Sequence, residues 1–185
     1  MLRLFIAVEF CESVKQELSA LGSRLKALSC GGNFTARDNL HLTLVFLGEV
    51  APARVPAVLE VMGDAAGEPF SLSLSGLDKF CRRDGDLYFL PVTPHAALTQ
   101  LHGTLTAKLT EAQIPYDTKA FFPHITLARR CKMASHFSQS DFAAFAKPVT
   151  VSVNHITLME SQRKNGKLLY KPLAKMPLLK ENRME

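Results

Sequence analysis

The sequence predicts an α+β fold made by internal duplication: two antiparallel sheets, with helices outside them, around a central cleft. Three observations lead there. The order strand, helix, strand, helix, strand occurs twice along the chain. The two copies begin at Leu2 and Asp86 and keep a near-constant offset. The tetrapeptide His-apolar-Thr-Leu stands near the middle of each half, as His41-Leu42-Thr43-Leu44 and as His124-Ile125-Thr126-Leu127. Matching order at a fixed spacing is the mark of a repeated unit. It implies a single domain over residues 1–185, with one lobe at about 1–83, a second at about 84–175, and a charged tail at about 176–185 that frays.

Each element has its own signal. Leu2 to Glu9, apolar from Leu4 to Val8, reads as a strand. Glu12 to Leu28 reads as a helix, because Val14, Leu18, Leu21, Leu25 and Leu28 recur at helical spacing, and Gly31-Gly32-Asn33 ends it. The first motif strand covers about Leu40 to Leu47, followed by a helix at about Ala53 to Ala66 and a strand at Phe70 to Phe80. In the second half, Asp86 to Val92 reads as a strand. Pro94 to Gln113 reads as a helix with Leu98, Leu101, Leu105 and Leu109 as its apolar stripe. The second motif strand spans about His124 to Ala128, and a short helix fits Ser140 to Ala146. Val149, Val151 and Val153 alternate along a further strand. A last strand at about Lys167 to Leu173 is expected to pair with it across the turn Lys164-Asn165-Gly166.

Composition narrows the function classes. A hydrophobic content of 47% over 185 residues suits a globular protein and argues against a disordered chain. Apolar runs are far too short to span a bilayer, and the start lacks the pattern of a signal peptide, so no membrane association is expected. Cys11, Cys30, Cys81 and Cys131 are scattered, which suits reduced thiols and a cytoplasmic location. The net charge of +5 is compatible with a polyanionic ligand without being diagnostic. Its basic residues form local groups, Lys79/Arg82/Arg83, Arg129/Arg130/Lys132 and Arg163/Lys164/Lys167. Each alone reads as solvated surface; together, near strand ends, they are compatible with a basic rim around a cleft.

Strand side chains alternate faces. His41 and Thr43 therefore share one face and Leu42 and Leu44 the other, and the second motif behaves alike. Two such strands facing each other supply an acid, a base and two hydroxyl donors around one cleft. A single histidine on a strand is more often a hydrogen-bonded or exposed residue than a catalyst; the duplicated placement shifts the balance towards function for His41 and His124. His95, His102 and His136 have no such support and read as surface residues. Zinc needs three or four ligands at suitable spacing, and no His-x-His, His-Glu-x-x-His or cysteine pair occurs. No metal and no cofactor is therefore expected. A third copy, His155-Ile156-Thr157-Leu158, has no counterpart in the first half and reads as a structural strand with its histidine and threonine partly exposed. Phe121 and Phe122 could stack a base, with core packing the expected role for at least one.

The flanks of these motifs resemble a known family. Arg3-Leu4-Phe5-Ile6-Ala7 resembles an R-x-F-I-A opening strand. His41 to Gly48 resembles H-x-T-L-x-F-L-G, and Phe122 to Arg129 resembles F-x-P-H-x-T-L-x-R. Ser161, Gly166 and Tyr170 resemble its ending. The chain is thus similar to the two-histidine (2H) phosphoesterases, and within them to the RNA 2′,3′-cyclic phosphodiesterases, also called 2′-5′ RNA ligases. The resemblance covers nearly the whole chain. It implies metal-independent hydrolysis of a terminal 2′,3′-cyclic phosphate to a 2′-phosphomonoester, with reversible 2′-5′ RNA ligation. The implied partner is RNA or an oligonucleotide with a 2′,3′-cyclic phosphate end, acted on by a monomer. It further implies His41 as proton donor, His124 as proton acceptor, and Thr43, Thr126 and Arg129 as ligands of the phosphoryl oxygens. In an ideal strand Arg129 falls on the face opposite His124 and Thr126, so it must lie past the strand end or bend back. Alternatives are a 2′-5′ oligonucleotide or small-nucleotide cyclic phosphodiesterase, and a non-catalytic RNA-binding protein that kept the cleft.

Overall fold

Five consecutive apolar residues, Leu4 to Val8, make β1 (Leu2–Glu9) a strand buried on both faces, and the first sheet forms around it. The computed structural model describes residues 1–179. After β1 come α1 (Glu12–Ala27), β2 (Ser29–Phe34), β3 (His41–Val50), α2 (Val55–Ala65), β4 (Phe70–Leu74) and β5 (Asp78–Phe80). The second half contains β6 (Asp86–Pro91), α3 (Ala96–Glu111), β7 (His124–Met133), α4 (Gln139–Phe145), β8 (Val149–Val153), β9 (His155–Lys164) and β10 (Lys167–Pro177). The fold is α+β with antiparallel pairing throughout. One sheet has the order β10-β9-β1-β3, the other β2-β7-β6-β5, and β4 and β8 form a small third sheet. Each four-stranded sheet draws on both halves of the sequence. The expected apolar stripes face the core: Val14, Leu18, Leu21 and Leu25 on α1, and Leu98, Leu101, Leu105 and Leu109 on α3. α1 packs against β2, β7 and β8, while α3 packs against α2 and β3, so helices too cross between the halves.

Three expectations need correction. Gly31-Gly32-Asn33 does not merely stop a helix; it lies within β2, which pairs with β7. The stretch Phe70 to Phe80 is two strands in different sheets, separated at Gly76, whose φ of 78° turns the chain. The strand Val149–Val153 pairs with β4, and it is β9 that joins β10 across the turn at Asn165 and Gly166, both at positive φ. The tail is partly structured, since Met176 and Pro177 belong to β10 and Leu178 is buried; fraying at 180–185 falls outside the described residues.

Two glycines press on one stretch of β7. A methyl group at Gly32 would meet the Cα of Cys131 at 2.9 Å. One at Gly85, where φ is 109°, would meet the Arg130 carbonyl carbon at 2.7 Å. Both distances are inside van der Waals contact with backbone, which cannot yield as a flexible side chain can. Gly85→Ala should therefore lose about 1–3 kcal/mol of stability, read as a lower midpoint in urea unfolding. Gly22→Ala, mid-helix with open space around it, should be neutral or gain up to about 1 kcal/mol.

Candidate active site

Each motif strand carries a β-bulge directly after its Thr-Leu. On β3, Thr43 pairs with Ala7 but Val45 pairs with Ile6, so Leu44 and Val45 are buried in succession. On β7, Thr126 pairs with Phe89 but Ala128 pairs with Tyr88, and Leu127 and Ala128 are buried in succession. An extra residue inverts the alternation beyond it. Phe46 thus rejoins the face of His41 and Thr43, and Arg129 rejoins the face of His124 and Thr126. This resolves the Arg129 problem: the strand bulges, and its guanidinium lies 3.4 Å from the Thr126 hydroxyl. Just beyond the bulge, Gly32 and Gly85 leave room for the backbone of Arg130 and Cys131.

Both imidazoles are fixed in the same way. Nδ1 of His41 donates to the carbonyl oxygen of Asn39 at 2.7 Å. Nδ1 of His124 donates to the carbonyl oxygen of Phe122, also at 2.7 Å. A carbonyl can only accept, so Nδ1 carries the proton in the neutral ring and Nε2 is left for chemistry. Nε2 of His41 is 2.9 Å from the Thr43 hydroxyl. Aromatic rings pack each histidine: Phe5 and Tyr170 against His41, at 4.9 and 5.0 Å between centroids, and Phe80, Phe89 and Phe122 around His124.

A cavity of about 640 Å³ opens here, with Phe5, His41, Thr43, Phe46, Arg129 and Tyr170 in its wall. Burial pushes the His41 imidazole down to about 4; the Asn39 carbonyl and Glu9 oppose that, while the charges of Arg129 and His124 add to it. Burial also lowers His124, countered by the Phe122 carbonyl and reinforced by Arg129. In the free protein both imidazoles are therefore neutral at neutral pH, beside a guanidinium. That charge pattern favours an anion, and an anion in turn restores proton affinity to both rings.

Of the five residues singled out for the site, Arg129 lines the same cavity as His41 and Thr43, contacts Thr126, and influences the proton affinity of both histidines. Among the described residues no three His, Cys, Asp or Glu side chains come together in a group that could hold a metal ion, and no helix is long and apolar enough to cross a membrane. The third tetrapeptide departs from expectation. Thr157 is fully buried and donates to Glu9 Oε2 at 2.8 Å, where Lys175 Nζ also sits at 2.9 Å and His155 Nε2 at 4.0 Å. His102, expected on the surface, is half-buried and stacked on Phe121 at 4.0 Å. Phe121 packs on the core, while Phe122 is 50% exposed.

Sequence reasoning missed Asn39. It is 7% exposed; its amide donates to the Leu168 carbonyl at 2.9 Å and accepts from the Tyr170 N–H at 3.1 Å. It thereby fastens the start of β3 to β10 while its own carbonyl holds His41. A buried polar residue two positions before a motif histidine was the available signal.

The geometry has counterparts among known proteins. The RNA 2′,3′-cyclic phosphodiesterase of Geobacillus stearothermophilus is 29% identical over 179 residues, 95% of this chain; the chain spans 57% of that relative's length. The RNA 2′,3′-cyclic phosphodiesterase of Thermotoga maritima is 31% identical over 131 residues, 69% of this chain and 70% of the relative. The crystal structure of E. coli LigT complexed with 3′-AMP superposes with a TM-score of 0.77 at 26% identity, covering 96% of this chain and 97% of LigT. Residues 13–165 match the model of the 2′-5′ RNA ligase superfamily. With two histidine motifs built alike and this architecture around them, the chain belongs to that superfamily.

Proposed function

We propose that the chain is an RNA 2′,3′-cyclic phosphodiesterase that opens a terminal 2′,3′-cyclic phosphate to a 2′-phosphomonoester, using His41 as acid and His124 as base. The observation that carries this reading is the matched anchoring of the two imidazoles, each with Nδ1 on a carbonyl two residues upstream. It turns both Nε2 atoms away from the backbone, that of His41 towards the Thr43 hydroxyl, as acid–base chemistry on one phosphate requires. The names of the relatives and the 3′-AMP held by LigT point to the same class of substrate.

The reaction follows from those roles. Binding of the anionic ring raises the proton affinity of His41, which enters as imidazolium. Nε2 of His124 takes a proton from water as its oxygen bonds to phosphorus. The bond from phosphorus to the 3′-oxygen breaks, and His41 passes its proton to that oxygen. The 2′-phosphomonoester leaves, and the two imidazoles reset by exchange with solvent. Thr43, Thr126 and Arg129 donate to the non-bridging oxygens as charge grows there. If a 5′-hydroxyl replaces water, the same steps form a 2′-5′ linkage, so ligation needs no further group. The two halves of the sequence act as one domain in this scheme, since each supplies one histidine. Three exposed free cysteines suit work as a monomer in a reducing cytoplasm.

Incubation with an oligonucleotide ending in 2′,3′-cyclic phosphate, with and without EDTA, tests the reading. The product should carry a 2′-phosphate at an unchanged rate in EDTA; a 3′-phosphate, or loss of activity restored by a divalent ion, would contradict it. His41→Ala and His124→Ala should each lower kcat by about 10²–10⁴-fold in folded protein. His155→Ala, outside the proton path, should cost far less. The pH profile has a definite sign. Both histidines lie below 6.5 in the free protein, His41 at about 4. The bell of kcat/KM, which reports free enzyme, should peak between about 4 and 6.5, and the kcat profile should be displaced to higher pH by the bound anion. A kcat/KM bell centred above pH 7 would contradict these proton affinities.

A further inference from the structure

The cavity is larger, and more cationic, than one cyclic phosphate requires. Besides Arg129 its wall carries Arg3 and Arg163, and no carboxylate among the described residues lines it. We propose that Arg3 and Arg163 form a second phosphate site, which takes the 5′-phosphate of the nucleotide bearing the cyclic phosphate and so selects RNA ends over free nucleoside cyclic phosphates. This inference rests on the cyclic phosphodiesterase reading of the same cleft.

Placement supports it. Ala7 pairs with Thr43, and Arg3 lies on the same face of β1, four residues along, about 13 Å at roughly 3.3 Å per residue. A ribose and an arginine side chain together cover that gap. On the neighbouring strand Arg163 follows Ser161 by two residues and shares its face, with Ser161 opposite Tyr170 and Arg163 opposite Leu168 on β10. The two guanidinium groups thus stand on adjacent strands, on one side of the histidine motif, with the Ser161 hydroxyl on the same wall.

Among the described residues neither cation has a close carboxylate partner. Arg3 makes only a loose contact with Glu49, at 4.0 Å between half-exposed side chains, and lies 5.0 Å from the centre of the Phe46 ring. Arg163 has no hydrogen bond or ion pair with any other described residue. Arginine presents a planar fork of donors that matches a phosphate in two-point contact. A terminal nucleotide within RNA carries such a phosphate one ribose away from its 2′,3′-cyclic phosphate; a free nucleoside cyclic phosphate does not. Phe5 and Phe46, between the two phosphate positions, give the sugar an apolar floor.

The test compares cytidine 2′,3′-cyclic phosphate with its 5′-phosphorylated form. In the unaltered protein the 5′-phosphate should lower KM about tenfold, the scale of one charge-assisted contact, and the advantage should shrink as salt is raised. In Arg3→Gln and Arg163→Gln the ratio of the two KM values should fall towards one, and in the double variant it should reach one. Turnover of both compounds with equal KM by the unaltered protein would overturn the second site and leave the cyclic phosphodiesterase reading standing. A preserved ratio in the double variant would overturn it too. Failure to turn over either compound would sink the underlying reading itself.

Discussion

The hydrogen bond from each Nδ1 to a carbonyl two residues upstream is the interaction on which the site depends. It fixes the tautomer, the ring orientation and the direction of Nε2 together. Because the acceptor is backbone, the ring is held by the fold and not by another side chain. The rest of the local structure serves that bond. Asn39 ties its segment to β10, and the imidazole is packed by the Tyr170 ring edge-on and by the Phe5 ring at a tilt. Around His124 three phenylalanines do the equivalent packing. The duplicated halves have diverged in nearly every side chain yet kept this one contact at the same length.

Charge is organised around the fixed rings. Arg129 depresses the proton affinity of both histidines and at the same time awaits an anion. The same residue therefore disfavours the imidazolium in the free protein and, once its charge is matched by a phosphate, ceases to do so. Glu9 works in the other direction. It stands opposite His41 across β1 and β3 and raises its proton affinity. Thr157 and Lys175 hold that carboxylate in its ionised form despite its burial. The third tetrapeptide thus has a structural part to play. Its threonine belongs to the set of contacts behind the first one.

Much of this was legible in the sequence, because period-two alternation and three-to-four spacing report burial directly. The helices, the two motif strands and the pairing of faces within each motif followed from that. What escaped had physical reasons. β2 has no apolar alternation; it is a strand because β7 needs a partner that approaches within reach of a glycine. The division of residues 70–80 turns on a single glycine at positive φ. Arg129 could be named from the family pattern but not placed, since a bulge is a mismatch between two strands and neither strand alone reveals it. Thr157 looked exposed because polarity suggests solvent, whereas here a buried carboxylate supplies the partner. Phe46, which the offset between the halves makes the counterpart of Arg129, shows how one position became an aromatic floor in one half and a cation in the other.

The order of strands in the first sheet has a consequence for how the protein is made. β1 leaves a ribosome well before β9, and its residues Leu4 to Ala7 pair on one side with β3 and on the other with Thr157 to Glu160. β3 is soon available; β9 is synthesised long afterwards. From the completion of β3 until β9 is made, this apolar strand therefore keeps one edge open, a template for pairing with other chains. A nascent chain halted before β9 would already contain both histidine motifs, yet would be a sticky fragment in need of a chaperone. Freedom from aggregation arrives with the closing hairpin.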